Sequence, residues 1–580
     1  MFLILKKRIN GNDKNLNEKI SGMKENNTMF WSDRLAKLMI ERKKWNYLDK
    51  PMKKSEIFGI KSSTSISGVP HIGNASDVIR HDAVVRSLEK MGEKVYFIWV
   101  SEDMDPLRKV PAGIPKEFSK YLGMPVSSLP CPEGCCDSYV DHFDNLFIDS
   151  LRDYFGTNPE LISTTKEYKK GEFYPYVKKV FENLDLVKQI LNKNRTTPLA
   201  ENWSPWKPVC ENCGKIITTK VTGMDGDNVS YECQDYSFGK FGQEAYTRLE
   251  GCEHKGDSDI KKGDGKLLWK LEWAAEWPLW KIQLEGAGKE HFMPGASFWV
   301  AGEICEKVFN WPEPHPGKNE IQPYEYIMVG KQKMSASIGN VVATWDWPKF
   351  APPEILRVIL LKRPNRQRGF LYEKIPEMVD EFDKLKEIFY DHEKIEDEKE
   401  LRNMKRLYES CVIEKEDHYI PNVSFSFLSL ISQIIPDSKN NFDKVCELLQ
   451  KTGHLKEIND EIKQKILERL TRAQEWMKRY GPEDAKVELL EKVPKNITEQ
   501  LSEEQKQSLQ ELSQVIQKDQ TEKKIWEQMK LIAEKNGIKP IDIFQAAYLV
   551  LLGKTKGPRL IPFIQVLDRN FVVKRFKLEK

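Results

Sequence analysis

The chain has 580 residues, 40% hydrophobic and 31% charged, with 91 basic side chains against 88 acidic ones and a net charge of +3. Those figures exclude a wholly disordered chain and a general polycation, so any nucleic-acid surface is a local patch, and the length predicts about four domains. The longest apolar run, around Ala546–Leu552, falls well short of the roughly 18 residues a membrane span needs.

Residues 1–28 are polar and Asn/Lys-rich, which predicts a flexible extension. Met23 and Met29 are alternative starts, because helical spacing begins with Trp31, Leu35, Leu38 and Met39. Met1–Leu5 precedes Lys6, Lys7 and Arg8, the wrong order for a secretory signal. A strand is predicted at Glu56–Ile60. A run of small residues, Ser62 to Gly68, then leads through His71-Ile72-Gly73-Asn74 into an amphipathic helix ending near Leu88. Lys94–Val100 suits a buried parallel strand and ends in an acidic turn, Ser101–Asp105. Strand, glycine-bearing turn, helix and strand make a βαβ unit, whose ligands sit beyond the carboxyl ends of the strands. Residues 106–200 alternate Pro-rich loops with helical patterns. From Trp203 to Glu253 the pattern changes to short alternating strands with many glycines. A Trp-rich stretch follows, then the loop Gly330–Asn340, and from about Asp346 a long helical series without strand alternation.

Small residues in the 62–74 turn let a phosphate chain approach the backbone, and the helix start directs N–H groups at it. His71 and Asn74 add side-chain donors. Taken alone, this is equally an ordinary strand–helix connection. Lys331-Gln332-Lys333-Met334-Ser335-Ala336-Ser337 is a basic, hydroxyl-bearing loop suited to a polyphosphate, or simply a solvated one. Cys210-x-x-Cys213, Cys233 and Cys252-x-His254 offer five candidates for the four places of one tetrahedral zinc. In a large chain without a signal, that clustering points to metal in a reducing cytoplasm. Cys131, Cys135 and Cys136 cluster without a second pair and are taken as structural; Cys305, Cys411 and Cys446 are taken as core. Trp273, Trp277 and Trp280 fit a core at helical spacing.

Together and in this order, His71-Ile72-Gly73-Asn74 and Lys333-Met334-Ser335-Ala336-Ser337 resemble the HIGH and KMSKS elements of class I aminoacyl-tRNA synthetases. Ser65–Gly68, Leu107–Pro111, Tyr121–Pro125, Gly288–His291, Tyr324–Tyr326, Gly557–Leu560 and Leu567–Arg569 narrow the resemblance to the class I lysyl-tRNA synthetases, from about Phe30 onwards. Asn74 stands where most class I enzymes have a second histidine. Ala336 replaces the motif's second lysine, and Ile338 occupies a place where relatives can have one, which leaves more of the phosphate charge to Lys333.

The resemblance implies an α/β fold: a Rossmann-like parallel-sheet catalytic domain with an inserted zinc module, followed by an all-α C-terminal half. The expected parts are an extension at 1–28, the first catalytic part with an inserted helical region at 29–202, the zinc-binding module at 203–266, the second catalytic part at 267–345 and a helical tRNA/anticodon-binding region at 346–580. It implies ATP handled by His71, Gly73, Asn74, Lys333, Met334, Ser335 and Ser337, with Mg²⁺ on the phosphates. It implies lysine held by Ser65, Trp269, His291 and Tyr324, with Glu290, Asp103 or Asp105 as counter-charge. It implies structural zinc on Cys210, Cys213, Cys233 and His254, Cys252 remaining an alternative to either of the last two. The expected function is activation of L-lysine with ATP and its transfer to the 3′ end of tRNA(Lys) by a cytoplasmic ligase. The rivals are a class I enzyme for glutamate or cysteine, or an inactive zinc-containing tRNA-binding protein.

Overall fold

The computed structural model describes residues 29–66, 68–238, 247–314, 324–325, 327–330, 332–334, 341–435, 437–518 and 521–579. Two compact units divide the chain. The first comprises Met1–Trp345, Leu356–Phe370 and Asp391–Ile413; the second comprises Asp346–Ile355, Leu371–Tyr390 and Glu414–Lys580.

The first unit is built on a parallel sheet. Strands β1 (Phe58–Thr64), β2 (Val95–Ser101), β3 (Glu160–Ser163) and β4 (Ile282–Glu285) lie in the order β4-β1-β2-β3, every neighbouring pair parallel. Helix α1 (Trp31–Glu41) buries Leu35, Ala36 and Met39 against Phe58 and Ile60 of β1 and Leu284 of β4. Helix α2 (Ile72–Lys90) adds Val84 and Leu88 to that cluster. Burying each such large apolar side chain contributes roughly 1.5–3 kcal/mol. Ile98 and Val100 of β2 join a separate cluster with Trp273 and Trp277 of α4 (Trp269–Leu279) and Phe298 and Ile304 of α5 (Ser297–Ile304). Helix α3 (Tyr139–Phe155) lies between β2 and β3 in the chain.

Helix α2 departs from the amphipathic expectation. Asp77, Arg80, His81 and Asp82 are buried along with its apolar residues. Its polar side chains therefore meet protein partners instead of water: Arg86 Nε donates to Asp82 Oδ2 at 2.8 Å, and the fully buried Arg357 pairs with the same carboxylate. Arg357 also donates to the Phe155 and Ser410 carbonyls, each at 3.0 Å. Arg406 makes two 2.8 Å bonds to Asp33. Such partners hold 356–370 and 391–413 in the first unit, so the region from 346 onwards is not wholly a separate helical half. It also contains a short strand, Arg368–Phe370, parallel to Ile327–Val329; three residues are too few to show a period of two.

Between Trp206 and Leu267 the chain forms short strands, including antiparallel Thr219–Asp225, Asn228–Cys233 and Lys255–Asp259. Among its described residues the second unit is built of helices joined by loops, with Ile375–Phe389, Asp460–Tyr480 and Glu503–Gln517 among its longer helices and a run of four from Glu522 to Phe576. No helix among the described residues is long and apolar enough to cross a membrane.

Candidate active site

A cavity of about 750 Å³ opens where β1, β2 and β4 end and α2 begins, the position that strand direction dictates in a parallel sheet. Ser65, His71, Gly73, Asn74, Trp269, His291, Tyr324 and Met334 all line it. Lys333 lies in a two-residue strand opposite Met328, next to Met334, whose N–H donates to the Ile327 carbonyl at 3.1 Å. Ser335 and Ser337 lie outside the described residues. The chain beyond that loop returns to the α2 start, where Ile72 N–H donates to the Val342 carbonyl at 3.0 Å.

The α2 start forms a capping box. His71 Nδ1 accepts from Gly73 N–H at 3.0 Å, and Asn74 Oδ1 accepts from His71 N–H at 2.9 Å. Accepting at Nδ1 leaves the ring proton on Nε2. Burial lowers the imidazole pKa to about 4, so at neutral pH this ring is an uncharged donor. A Cβ at residue 73 would sit 2.5 Å from His71 Cε1, which is why only glycine allows the ring to fold over the helix end.

One wall is aromatic. Trp269 stacks on Trp273 with centroids 5.4 Å apart, and His291 meets both rings edge-on. Trp269 remains 46% exposed, so its face is available to a ligand. Trp273, expected in the core, is buried yet lines the cavity as well. Tyr324 Oη donates to Asp77, which also accepts from Ser62 Oγ. The Arg80 guanidinium lies 4.8 Å above the Tyr324 ring. Burial, reinforced by Asp77, holds the Tyr324 phenol well above its usual range, keeping it a donor.

The floor is charged, and most of its residues lie outside the set expected from the sequence. Lys61, inside β1 and fully buried, is 2.8 Å from Glu276, 2.7 Å from Glu285 and 3.9 Å from Glu102. Lys266 is 2.7 Å from Asp105 and 2.6 Å from Glu272. Two ammonium groups thus face five carboxylates, too few to keep all of them ionised. Burial and repulsion among neighbours, against the pull of the lysines, push Glu272 up to about 8 and Glu276 up to about 7. Burial opposes ionisation at Asp105 too, but Lys266 and Ser65 Oγ, which donates at 2.6 Å, outweigh it and hold Asp105 below its usual range. Trp273 and Trp277 donate from Nε1 to Glu285 at 2.8 and 2.6 Å. Of the three counter-charges considered, Glu290 and Asp105 line the cavity. Asp103 does not; its oxygens accept from Ser163, Thr164 and the Thr165 N–H. A partial signal was present: Glu272 and Glu276 stand four apart on a tryptophan helix whose other residues, Lys270 apart, are apolar, and Lys61 interrupts a strand.

The thiols converge differently from the expected set. The sulfurs of Cys210, Cys213, Cys233 and Cys252 lie within 4.8 Å of one another, with Cys210–Cys252 at 3.6 Å and Cys213–Cys233 at 3.7 Å. A tetrahedral zinc with bonds of about 2.3 Å spaces its sulfurs by about 3.8 Å; a disulfide needs about 2.0 Å. His254 is turned away, its Nε2 2.7 Å from Glu211 Oε1. Cys252, not His254, joins the other three thiols: extended chain would put residues two apart on the same face, but Glu253 between them, at φ +59°, breaks that alternation.

Residues 29–413 match the family described as tRNA synthetases class I (K), and residues 429–578 match an anticodon binding domain. Curated lysine–tRNA ligases from Methanosphaera stadtmanae and Methanocaldococcus jannaschii are each 32% identical over 95% of this chain, covering 99% and 100% of theirs. A solved glutamate tRNA ligase from Elizabethkingia meningosepticum aligns at 15% identity over 90% of this chain and 98% of that one, with a TM-score of 0.35, too slight a likeness to bear on shape or substrate. With the family match spanning the whole βαβ core and cleft, and relatives aligned along almost their entire length, the chain belongs to the class I (K) tRNA synthetases.

Proposed function

We propose that the chain activates L-lysine with ATP and transfers it to the 3′ end of tRNA(Lys). The observation that carries the choice of amino acid is the acid excess beside an aromatic wall. Lysine has two ammonium groups to meet carboxylates and a four-carbon stem to lie on a ring face; glutamate would bring a further negative charge to this floor.

In the first step the lysine carboxylate attacks the α-phosphorus of ATP in line. The bond to the β-phosphate oxygen breaks, and pyrophosphate leaves with its electron pair. In the second, the terminal ribose 2′-hydroxyl attacks the acyl carbon and AMP departs. No side-chain nucleophile takes part, so catalysis is positioning and stabilisation of charge moving onto phosphate oxygens. His71 Nε2–H, the Asn74 amide and Lys333 are the donors proposed for those oxygens. Mg²⁺, when bound, neutralises part of the same charge. Zinc on Cys210, Cys213, Cys233 and Cys252 would be structural, since four protein ligands close the centre.

Gly73→Ala is expected to lose the His71 cap, at about 1 kcal/mol of stability, and to slow adenylate formation by about 10²-fold through a displaced donor. Denaturant melts and single-turnover activation measure the two effects. The KM for lysine is expected to rise as pH falls from 8 to 6, because Glu272 and Glu276, titrating near 8 and 7, lose the charge that attracts ammonium. A KM for lysine that is flat over this range rejects the assignment. Affinity for tRNA is expected to fall steeply with salt despite the net charge of +3, since the contacts are local cations such as the exposed Arg363 and Arg366 and each phosphate contact releases counterions. A log–log titration of affinity against salt gives the slope.

A further inference from the structure

We infer that Arg80 is a positioning residue, fixing the Tyr324 ring for the amino-acid substrate without touching that substrate. The helix period brings it there. Asp77, Arg80 and His81 share one side of α2, because residues three and four apart are neighbours on a helix. Asp77 and Tyr324 line the cleft, and Arg80 does not. Arg80 lines a separate recess of about 40 Å³ with Trp31, Leu35 and His81, and Tyr324 borders both spaces.

Three kinds of contact hold Tyr324. Its N–H donates to the Ala287 carbonyl at 3.4 Å, and its carbonyl accepts from Lys289 N–H at 3.2 Å. Its hydroxyl donates to Asp77, whose carboxylate also accepts from Ser62 Oγ of β1. Its ring face meets the Arg80 guanidinium, 4.8 Å from the ring centroid. That guanidinium is itself anchored, Nη1 donating to Ser76 Oγ at 2.9 Å and to the Ser76 carbonyl at 3.2 Å. His81 completes the frame: Nε2 accepts from Gly286 N–H at 2.6 Å, and Nδ1 donates to the Asp77 carbonyl at 2.8 Å. A Cβ at residue 286 would lie 3.2 Å from His81 Nε2 and 3.6 Å from Tyr324 Cε1, so the imidazole and the phenol close on that backbone.

The energetics of Arg80 point to the ring. It is buried, and the carboxylates of its own helix meet other groups. Asp77 meets Tyr324, Ser62 and His81, while Asp82 pairs with Arg86 and Arg357. Among the described residues its Nε has no hydrogen-bond partner. Burial lowers its pKa to about 10, against the pull of Tyr324 and Asp77, so it is a cation at neutral pH. Packing alone favours an apolar side chain of similar volume at such a depth. What the guanidinium adds is attraction to an aromatic face where water is excluded, which favours the one ring position that presents Tyr324 to the cleft.

The inference rests on the cleft being the amino-acid site. Steady-state pyrophosphate exchange into ATP, with tRNA present, tests it in the wild type, Arg80→Met, Arg80→Gln and Arg80→Lys. In the Met and Gln variants the KM for lysine should rise about tenfold, the scale of one desolvated cation–ring contact. Turnover and the KM for ATP should stay within about twofold of wild type, the pattern of an interaction made equally in ground and transition states. Arg80→Lys keeps a cation over the ring and should recover most of the loss. In a Tyr324→Leu background, Arg80→Met should change the KM for lysine by less than about twofold, because the ring it acts through is gone. If Arg80→Met does not fold, Arg80→Gln decides. An unchanged KM for lysine in the neutral variants, an equal rise for ATP, no recovery in Arg80→Lys, or full additivity with Tyr324→Leu would each overturn the assignment. If lysine drives no exchange in the wild type, the choice of lysine fails by itself, and the same comparison is made with the amino acid that does; with none, both fall.

Discussion

Lys333→Ala is expected to slow adenylate formation by about 10²–10³, while leaving substrate binding and transfer from preformed adenylate much less affected. Ala336 and Ile338 carry no charge, so Lys333 is left with most of the motif's phosphate charge. Removing one donor from a developing phosphate charge costs roughly 3–4 kcal/mol. The loss belongs in the turnover number because the interaction strengthens as pyrophosphate leaves, and no pyrophosphate leaves in the second step. Single-turnover measurement of each step, with tRNA present, separates them. Activation near wild type, or an equal fall in both steps, would remove Lys333 from the role proposed here.

Lys61→Met is expected to destabilise the first unit by about 3–5 kcal/mol, the cost of leaving buried charges without their partner. Lys61 is fully buried between Glu276 and Glu285. Burial disfavours its charge, but Glu276, Glu285 and Glu102 outweigh that and hold its pKa above the usual lysine range. Without the ammonium, Glu276 prefers to be neutral. Its folded-state pKa then lies further above the unfolded value, so the variant keeps its stability at low pH and loses it as pH rises. Glu276 titrates near 7 even with Lys61 present, so the penalty should be clearly smaller at pH 6 than at pH 8. Denaturant unfolding at both values measures it. A loss below about 1 kcal/mol, or an equal loss at both, would show that the cluster is solvated in solution.

The βαβ start was legible in the sequence because it is local: small residues, a glycine turn and an apolar run each act within a few positions. Gly73 and Asn74 had to lie beside His71, and strand direction carried them to the cleft. Ser65, Trp269, His291 and Tyr324 were reached through resemblance, and the structure brings all four to that one cavity. The charged floor was legible only as isolated charges in apolar elements, because the partners of Lys61 lie more than 200 residues away at Glu276 and Glu285. No local pattern shows which buried lysine meets which glutamate. Helix α2 departs from the amphipathic pattern for the same reason: Asp82 meets Arg357, not water. At the thiols, spacing named the candidates but not their directions. Cys252 and His254 differ by two residues, and only the path into the following strand decides which one faces Cys210.

Pyrophosphate exchange into ATP, measured with each amino acid in turn and both with and without tRNA, tests the central claim most directly. Exchange should depend on lysine, with glutamate and cysteine at background. Exchange driven by glutamate or cysteine, or no lysine-dependent exchange in either condition, would contradict a lysine-activating enzyme.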